Sequence, residues 1–365
     1  MRLNLPRLDS RWFNAMFCWE LILRLSRRVG RVGYRWLRFG CWLLAGVSLM
    51  GVVQAREVPK LTVGALQFGT VNWELQTIKQ QGFDRQQGFE LVVRPFANKH
   101  ALATALQAGA VEMIVTDWIW VNQQRNMGHN YVFSPYSKAV GKLLVAPEAK
   151  IQRLQDLKGR RLGVAGGSVD KTWLIARAYT LKTLGQDLAD WVEPQFAAPP
   201  LINQLAQRGE LEATINFWHF SAKLQARGFV PLVDVRQMLS ELGLEEDAPL
   251  IGWAFAEQTA QQHPELIKGM LQASQQAKAF LIEQDQGWEP LRALMKASDD
   301  AEFVALRDAF RAGSVTCFGE KGVQAASDLF DLLAQYGGAK VLGKATEFDR
   351  DVFWTGFALK PCSAS

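Results

Sequence analysis

The chain has 365 residues, of which 48% are hydrophobic and 21% are charged, as in globular proteins. The formal net charge of +5 suggests a nucleic-acid-binding protein, but nine arginines and only two acidic residues lie within residues 1–55. The other 310 residues carry 32 basic and 34 acidic side chains, so this part of the chain is slightly acidic. A nucleic-acid partner is therefore not expected, and the length is sufficient for two domains with separate cores.

Residues 1–55 have the features of a secretory signal peptide with a long basic segment. An apolar run from Phe39 to Val53 follows the arginines, and Val53 and Ala55 are the small residues that a signal peptidase recognises. An uncleaved membrane anchor is the alternative, although about 15 apolar residues fall short of the ~20 that span a bilayer. Translation from Met16 would give a shorter leader. We expect export to the periplasm.

The next part of the chain alternates strand and helix patterns, which favours parallel βα units. Hydrophobic periodicity and glycine positions predict a strand at 60–66, a loop at 67–72, a helix at 73–81, a strand at 89–95, a helix at 100–108 and a strand at 113–116. A connecting strand is predicted within 137–147, where small residues end in a proline.

A second α/β series begins near residue 154 and ends near residue 235. It starts with a strand at 160–165, the turn Gly166-Gly167 and a helix at 168–184. A return strand follows at 249–255, and then a helical tail is predicted at 257–284, 286–297, 300–312 and 320–336. Two crossings between two α/β lobes imply a hinge and a cleft.

The two series repeat a pattern one hundred residues apart. Segments of twenty-two residues that start at Gln107 and Gln207 share five identities without a gap, where average composition predicts about one or two. Each segment reads as a helix closed by glycine, a short apolar strand and an aromatic residue that opens the next helix. The identical pairs are Gln107/Gln207, Gly109/Gly209, Glu112/Glu212, Trp118/Trp218 and Gly128/Gly228.

Aromatic residues follow the central strand of both repeats. Ligands in open α/β sheets bind beyond the carboxyl ends of the strands. We therefore expect Trp118 and Trp218 to face each other and to contact a ligand, whereas Trp120 and Phe220 are interpreted as core residues.

Polar side chains lie beside these aromatic residues. Asp117 and Asn216 are candidates for the few polar groups that orient a ligand in an apolar pocket. His219 either touches the ligand or makes a structural hydrogen bond. The histidines after residue 55 show no metal-ligand spacing and no serine elbow is present, so we expect neither a metal nor a cofactor nor a catalytic residue.

The sequence Gly166-Gly167-Ser168 follows a strand and opens a helix. The glycines permit a tight turn, Ser168 suits the N-cap, and the free N–H groups of the first helical turn bind oxyanions in other proteins. An ordinary βα turn with a capping serine is the alternative. Asp170 already satisfies the helix dipole and opposes an anion at this position.

Export would leave Cys317 and Cys362 as the remaining cysteines in an oxidising compartment. They either form a disulfide or are two free thiols. A disulfide would attach the end of the chain to the last helical region.

Three segments resemble periplasmic solute-binding proteins of ABC importers: Asp156 to Ser168, with the run Asp-Leu-Lys-Gly before Gly-Gly-Ser, and the repeat units at 106–117 and 209–218. The subgroup includes binding proteins for nitrate, taurine, alkanesulfonates and thiamine-precursor pyrimidines. The resemblance spans nearly all of 60–340. It implies an α/β, two-lobed periplasmic-binding-protein-like fold of type II, with two hinge crossovers and a helical C-terminal tail.

On this basis we assign four regions to the chain. They are a signal peptide at 1–55, lobe 1 at 56–140 and 252–345, lobe 2 at 141–251, and a C-terminal tail at 346–365 that packs on lobe 1. Together with the motifs, the resemblance predicts fifteen ligand-binding residues: Gln67, Phe68, Gly69, Thr70, Asn72, Trp73, Asp117, Trp118, Gly166, Gly167, Ser168, Asp170, Asn216, Trp218 and His219. The family often has a Trp-Asp-Pro-like run where this chain has Phe217-Trp218-His219-Phe220. The ligand contact that the family makes with that run is therefore not assigned to this chain.

The resemblance favours a monomeric binding protein that delivers a small organic solute to a membrane permease. Ser168 and its helix favour a sulfonate-like anion, and the tryptophans favour a planar ring such as a pyrimidine. The alternative is a periplasmic ligand sensor or enzyme that acts on a pyrimidine-like compound. A eukaryotic branch of the family makes such a pyrimidine with a Cys-rich motif and clustered histidines, and this chain lacks both.

Overall fold

The structure is a computed structural model and describes residues 58–245, 249–360 and 362. The signal peptide predicted at 1–55 lies outside the described residues. Two five-stranded mixed sheets, each flanked by helices, form two α/β lobes. None of the helices in the described part of the chain is long and apolar enough to cross a membrane.

The first segment of lobe 1 alternates strands and helices as predicted. Its elements are β1 (Lys60–Leu66), α1 (Val71–Gln81), α2 (Phe83–Gln86), β2 (Glu90–Phe96), α3 (Lys99–Gln107), β3 (Met113–Asp117), α4 (Trp118–Asn126) and β4 (Tyr131–Ser137). The strand β4 had no sequence prediction of its own. It is nevertheless buried over five consecutive residues, since it lies at the sheet edge beneath the C-terminal segment.

Lobe 2 contains the second series. Its elements are β5 (Lys142–Val145), β6 (Arg161–Ala165), α5 (Lys171–Leu184), α6 (Leu188–Trp191), β7 (Glu193–Ala197), α7 (Pro199–Gln207), β8 (Ala213–Asn216), α8 (Trp218–Ala226), β9 (Val230–Asp234) and α9 (Val235–Glu241). Short 3-10 turns at Pro147–Ala149 and Leu154–Leu157 connect β5 to β6.

The chain then returns to lobe 1 and ends in helices. The elements are β10 (Ile251–Ala256), α10 (Glu257–Gln262), α11 (Pro264–Glu283), α12 (Arg292–Met295), α13 (Asp300–Gly313), α14 (Glu320–Gly337) and α15 (Ala339–Leu342). The helix predicted over 257–284 is divided because Pro264 has no N–H and starts a new helix at its first position.

The two sheets have the same topology. Lobe 1 has the order β2-β1-β3-β10-β4, in which β1 is parallel to β2 and β3, and β10 is antiparallel to β3 and β4. Lobe 2 has the order β7-β6-β8-β5-β9, with β6 parallel to its neighbours and β5 antiparallel to β8 and β9. The chain crosses from β4 to β5 and returns from β9 and α9 to β10. The predicted two-lobed fold with two crossovers is confirmed.

The hundred-residue repeat corresponds to equivalent elements of the two lobes. The carboxylate of Glu112 accepts a hydrogen bond from the Thr62 N–H at 2.6 Å, beside the start of β1. The carboxylate of Glu212 accepts one from the Arg161 N–H at 3.0 Å, at the start of β6. These identical glutamates therefore satisfy backbone N–H groups near the starts of the equivalent strands β1 and β6.

The C-terminal helices connect the lobes. Leu329 and Phe330 of α14 belong to one core with Trp118 of lobe 1 and Trp173 of lobe 2. The α13 helix packs on α8, where Glu302 forms ion pairs with basic residues of lobe 2. The sequence assignment placed both helices in lobe 1, and the structure shows that they contact lobe 2 as well.

The C-terminal segment lies on lobe 1. The Trp354 N–H donates to the Phe133 carbonyl at 2.9 Å, and the Phe353 ring packs edge-on against Phe133. A disulfide joins Cys317 to Cys362, which are 45 residues apart. This bond attaches the end of the chain to the segment that precedes α14.

Candidate functional site

A cavity of 220 Å³ lies between the two lobes. Lobe 1 contributes the loop before α1 and the carboxyl ends of β3 and β4, and lobe 2 contributes the starts of α5 and α8. This is the position at which open α/β sheets bind ligands. The wall is mainly apolar and aromatic, with Leu66, Val71, Leu102, Val115, Val140, Phe217, Trp218, Leu250, Ile251 and Phe310.

Six of the fifteen predicted residues line this cavity: Gly69, Thr70, Asp117, Asp170, Trp218 and His219. The other nine lie outside its lining: Gln67, Phe68, Asn72, Trp73, Trp118, Gly166, Gly167, Ser168 and Asn216. Ligand contact by the first six stays a prediction.

Trp118 is a core residue and does not face Trp218. Its side chain is 0% exposed and packs edge-on against Phe348, with ring centroids 5.5 Å apart. Trp218 is half-buried at the cavity and packs edge-on against Trp73 of lobe 1 at 5.8 Å. The expected pair of facing tryptophans is therefore wrong, and Trp73 takes the place of Trp118 in the contact between lobes.

The loop from Gln67 to Asn72 closes on itself instead of presenting all its side chains to the cavity. The Asn72 amide donates to the carbonyls of Leu66 and Gly69, both at 2.8 Å. Phe68 is 68% exposed, and the Lys296 ammonium lies 3.8 Å from its ring centroid. Within this loop, Gly69, Thr70 and Val71 line the cavity.

The turn Gly166-Gly167 shapes the start of α5. The two glycines have φ of 84° and 87°, a left-handed conformation that other residues rarely adopt. This turn delays the helix, so Ser168 is exposed and Asp170 is the N-cap. The expectation that Ser168 caps this helix is wrong for that reason.

The start of α5 is already occupied by a carboxylate of the protein. Asp170 Oδ1 accepts a hydrogen bond from the Trp173 N–H at 3.0 Å. Burial raises the pKa of Asp170, and the hydrogen bond and the nearby Lys171 and Lys99 oppose this increase. An oxyanion at this helix terminus would have to lie beside Asp170.

Asn216 has a structural role. It is 1% exposed, and its amide group donates to the Pro199 carbonyl at 2.9 Å and to Asn203 Oδ1 at 2.8 Å. Its own oxygen accepts the Phe217 N–H at 2.8 Å. These bonds fix the chain between β8 and α8 and leave no side-chain donor for a ligand.

An ion pair joins the lobes at the cavity. Asp117 ends β3 in lobe 1, Lys171 begins α5 in lobe 2, and Oδ2 lies 2.9 Å from Nζ. The other oxygen, Oδ1, accepts the Trp120 N–H at 3.0 Å and thereby caps α4. Burial raises the pKa of Asp117, but Lys171, Lys99 and the hydrogen bonds outweigh burial and hold it below its ordinary value.

A second ion pair is buried beside the cavity, within lobe 1. Lys278 Nζ lies 2.8 Å from Glu74 Oε2 and 3.1 Å from Ser274 Oγ, and 3.7 Å from the ring centroid of Tyr136. Burial raises the pKa of Glu74 and lowers that of Lys278, while their attraction opposes both shifts. Lys278 and Tyr136 line the cavity, so this cluster forms part of its wall.

Sequence reasoning did not select several lining residues. Lys171 had one local signal, since it follows Asp170 at the start of a helix. Tyr136 and Lys278 had none, because they come from β4 and α11 and meet only through the sheet topology.

Residues 75–287 match the protein-family model described as NMT1/THI5 like. No curated protein matches the chain. Among solved structures, the periplasmic aliphatic sulphonate-binding protein SsuA from Escherichia coli is similar, with a TM-score of 0.64 and 19% identity over 84% of this chain and 95% of that chain.

Two further structures share the fold. The alkanesulfonate-binding protein SsuA from Xanthomonas axonopodis pv. citri, bound to MOPS, has a TM-score of 0.60 and 18% identity over 81% of this chain and 98% of that chain. The desulfurization enzyme DszB has a TM-score of 0.53 and 15% identity over 80% of this chain and 97% of that chain. The fold is thus found in binding proteins and in an enzyme.

Proposed function

The chain belongs to the NMT1/THI5-like family, and we propose that it is the solute-binding component of an ABC importer. In this proposal the exported, monomeric protein captures a small organic solute between its lobes and delivers it to a membrane permease. The observation that carries the proposal is the cavity at the carboxyl ends of the strands, between lobes that two chain crossings connect.

The cavity suits a small solute with an apolar body. Its volume of 220 Å³ is below the ~300–1,000 Å³ of pockets for drug-sized ligands. Its walls are mainly aliphatic and aromatic, with charged groups at a few positions. Such a site binds through shape and burial of apolar surface, and a few polar groups fix the orientation.

The two serine hydroxyl groups at the cavity favour binding over nucleophilic catalysis. Ser137 Oγ donates to the Gly313 carbonyl at 3.1 Å, and Ser314 Oγ donates to the Phe310 carbonyl at 2.9 Å. A serine nucleophile needs a base within hydrogen-bond distance. These two serines instead support the backbone.

A planar, uncharged ring is the solute class that the charges support best. Asp117 and Asp170 cap two of the helices that begin at the cavity, α4 and α5, and each carboxylate would repel an anion there. Lys99 and Lys171 compensate these two charges. A ring that packs against Trp218 needs no net charge.

A sulfonate-like anion is the second candidate. The helices α1 and α8 also begin at the cavity, and their N-caps, Thr70 and Phe217, make no side-chain capping bond. Free N–H groups at such termini bind anions. Two of the similar structures are sulfonate-binding proteins.

The experiment begins with native mass spectrometry of protein secreted to the periplasm, which identifies any solute that co-purifies. Calorimetric titrations then compare cytosine, an uncharged ring, with ethanesulfonate and MOPS. Binding should also raise the melting temperature, because a solute stabilises the folded protein by an amount that grows with the logarithm of one plus the ratio of free concentration to dissociation constant. The proposal expects one saturable site and recovery of the solute unchanged.

A variant that fills the cavity tests the location of the site. Val140 lines the cavity and Val169 is exposed outside it, so Val140→Trp should abolish binding and the matched control Val169→Trp should retain it. Equal binding by both variants would reject the cleft as the site. Conversion of the bound compound would favour the enzyme alternative.

A further inference from the structure

His219 is placed where a bound solute would meet it. It is the second residue of α8, lines the cavity and lies within an aromatic group. The ring centroids of Phe220, Trp218 and Phe217 are 4.5, 5.4 and 6.5 Å from its own. Three aromatic rings therefore lie close to the imidazole.

One nitrogen of this imidazole is unsatisfied. Nδ1 is buried and has no hydrogen-bond partner among the described residues. Tyr136 Oη is the other such buried atom that lines the cavity, but it lies beside the Glu74 carboxylate, which raises the pKa of Tyr136. A buried nitrogen without a partner is unfavourable, so its partner is expected to come from whatever fills the cavity.

The imidazole is uncharged at neutral pH. Burial, together with the nearby Lys223 ammonium, lowers the pKa of His219 to about 4. A neutral imidazole offers one N–H donor and one acceptor nitrogen. It can therefore share a hydrogen bond with a neutral amine, amide or hydroxyl without placing a charge in an apolar wall.

The surroundings of His219 differ from those of the other polar groups at the cavity. Asp117 and Asp170 use their carboxylates on helix termini and are compensated by lysines. Lys278 is paired with Glu74. His219 Nδ1 is thus a buried polar atom, in a residue that lines the cavity, that no described residue uses.

We propose that His219 Nδ1 is the hydrogen-bonding position for an uncharged polar group of the solute, and that this contact selects neutral ring compounds over anions. The inference rests on the proposed solute-binding function and assigns the chemistry of one position within it. Trp218 and Phe217 would pack against the body of the same solute.

The test compares the wild type with three variants by calorimetry, with cytosine as the probe. His219→Phe keeps a ring and removes both nitrogens, and we expect it to weaken cytosine binding at least fivefold. His219→Asn keeps a polar atom near the position of Nδ1, and we expect it to stay within threefold of the wild type. His129→Asn changes an exposed histidine far from the cavity lining and is the control.

Titration with ethanesulfonate distinguishes a failure of this inference from a failure of the proposed solute-binding function. If cytosine binds equally to the wild type and His219→Phe, the assignment of His219 is overturned and the binding function stands. If only ethanesulfonate binds the wild type, the solute class and the role of His219 are overturned together, and the binding function still stands. If neither probe binds and no solute co-purifies, both the inference and the proposed function fail.

Discussion

Asp117 and Lys171 form an ion pair, 2.9 Å long, between the end of a strand in one lobe and the start of a helix in the other. Each lobe supplies one acidic and one basic side chain to this region, with Lys99 beside Asp117 and Asp170 beside Lys171. Contact between the lobes brings opposite charges together without leaving a net charge. The contact between the lobes therefore depends on the same charged side chains that line the cavity.

We predict that loss of this ion pair favours opening of the lobes. Asp117→Asn removes the charge and keeps a good helix N-cap, so it isolates the ion pair from the capping role. Small-angle X-ray scattering or a fluorescence distance between the lobes should report a more open solute-free protein. Asp156→Asn removes an exposed pair within lobe 2 and should have no such effect. An unchanged distance in Asp117→Asn would contradict the prediction.

Trp118 and Trp218 should respond differently to truncation. Trp118→Ala empties a fully buried site and should destabilise the protein by ~3–5 kcal/mol. Trp218→Ala should cost less stability and weaken solute binding about tenfold, because this half-buried indole lines the cavity. Chemical denaturation and calorimetry of the same two variants measure both quantities. A binding defect confined to Trp118→Ala would reverse the assignment.

The order of strands and helices could be predicted because burial imposes a period on the sequence. Strand and helix periods located β1, α3, β3 and β6 within a residue or two. The repeat was informative for the same reason, since Glu112 and Glu212 satisfy equivalent backbone groups. Local sequence patterns therefore predicted the order of strands and helices.

The composition of the site depended on contacts between distant segments. Trp118 and Trp218 occupy equivalent positions in the repeat, yet Phe348 from the C-terminal segment covers one and the cavity borders the other. Lys278 belongs to α11 and lines the cavity, whereas the Asn216 amide donates its hydrogen bonds to Pro199 and Asn203. No local pattern distinguishes these outcomes, because each is set by packing across the chain.

The buried pair Glu74–Lys278 should show strong coupling. Either single variant, Glu74→Leu or Lys278→Met, leaves the other member of the pair buried without its partner and should destabilise by ~3–5 kcal/mol. The double variant Glu74→Leu with Lys278→Met should have a free energy of unfolding closer to that of the wild type, since well-packed apolar residues replace buried ion pairs with little loss of stability. Urea unfolding of all four proteins gives the coupling energy. Additive losses would show that the pair does not act as a unit.

The disulfide should stabilise the protein by restricting the unfolded chain. Closure of a loop with a sequence separation of 45 residues corresponds to about 4 kcal/mol in the chain-entropy model. We expect the double variant Cys317→Ser with Cys362→Ser to melt several degrees lower than the oxidised wild type. A reducing agent should lower the wild-type melting temperature and leave that of the variant unchanged. Equal sensitivity of both proteins would argue against a stabilising disulfide.

His219 should make stability depend on pH in the acidic range. Burial and Lys223 lower its pKa to about 4 in the folded protein, whereas an unfolded histidine has a pKa of about 6.5. Between these values the unfolded chain binds more protons, so folding stability is full above pH ~6.5 and falls as the pH decreases towards 4. The folding free energy lost through protonation of His219 should reach ~1–3 kcal/mol. The upper value corresponds to the full difference between its pKa values in the unfolded and folded protein.

The variant His219→Asn separates this contribution from the titration of carboxylates. The wild type minus variant difference in unfolding free energy should decrease steadily from pH 7 to pH 4. Urea unfolding at half-unit pH intervals provides the curves. A flat difference for His219→Asn would mean that the imidazole has the same pKa in the folded and the unfolded protein, which would contradict a desolvated imidazole at the cavity.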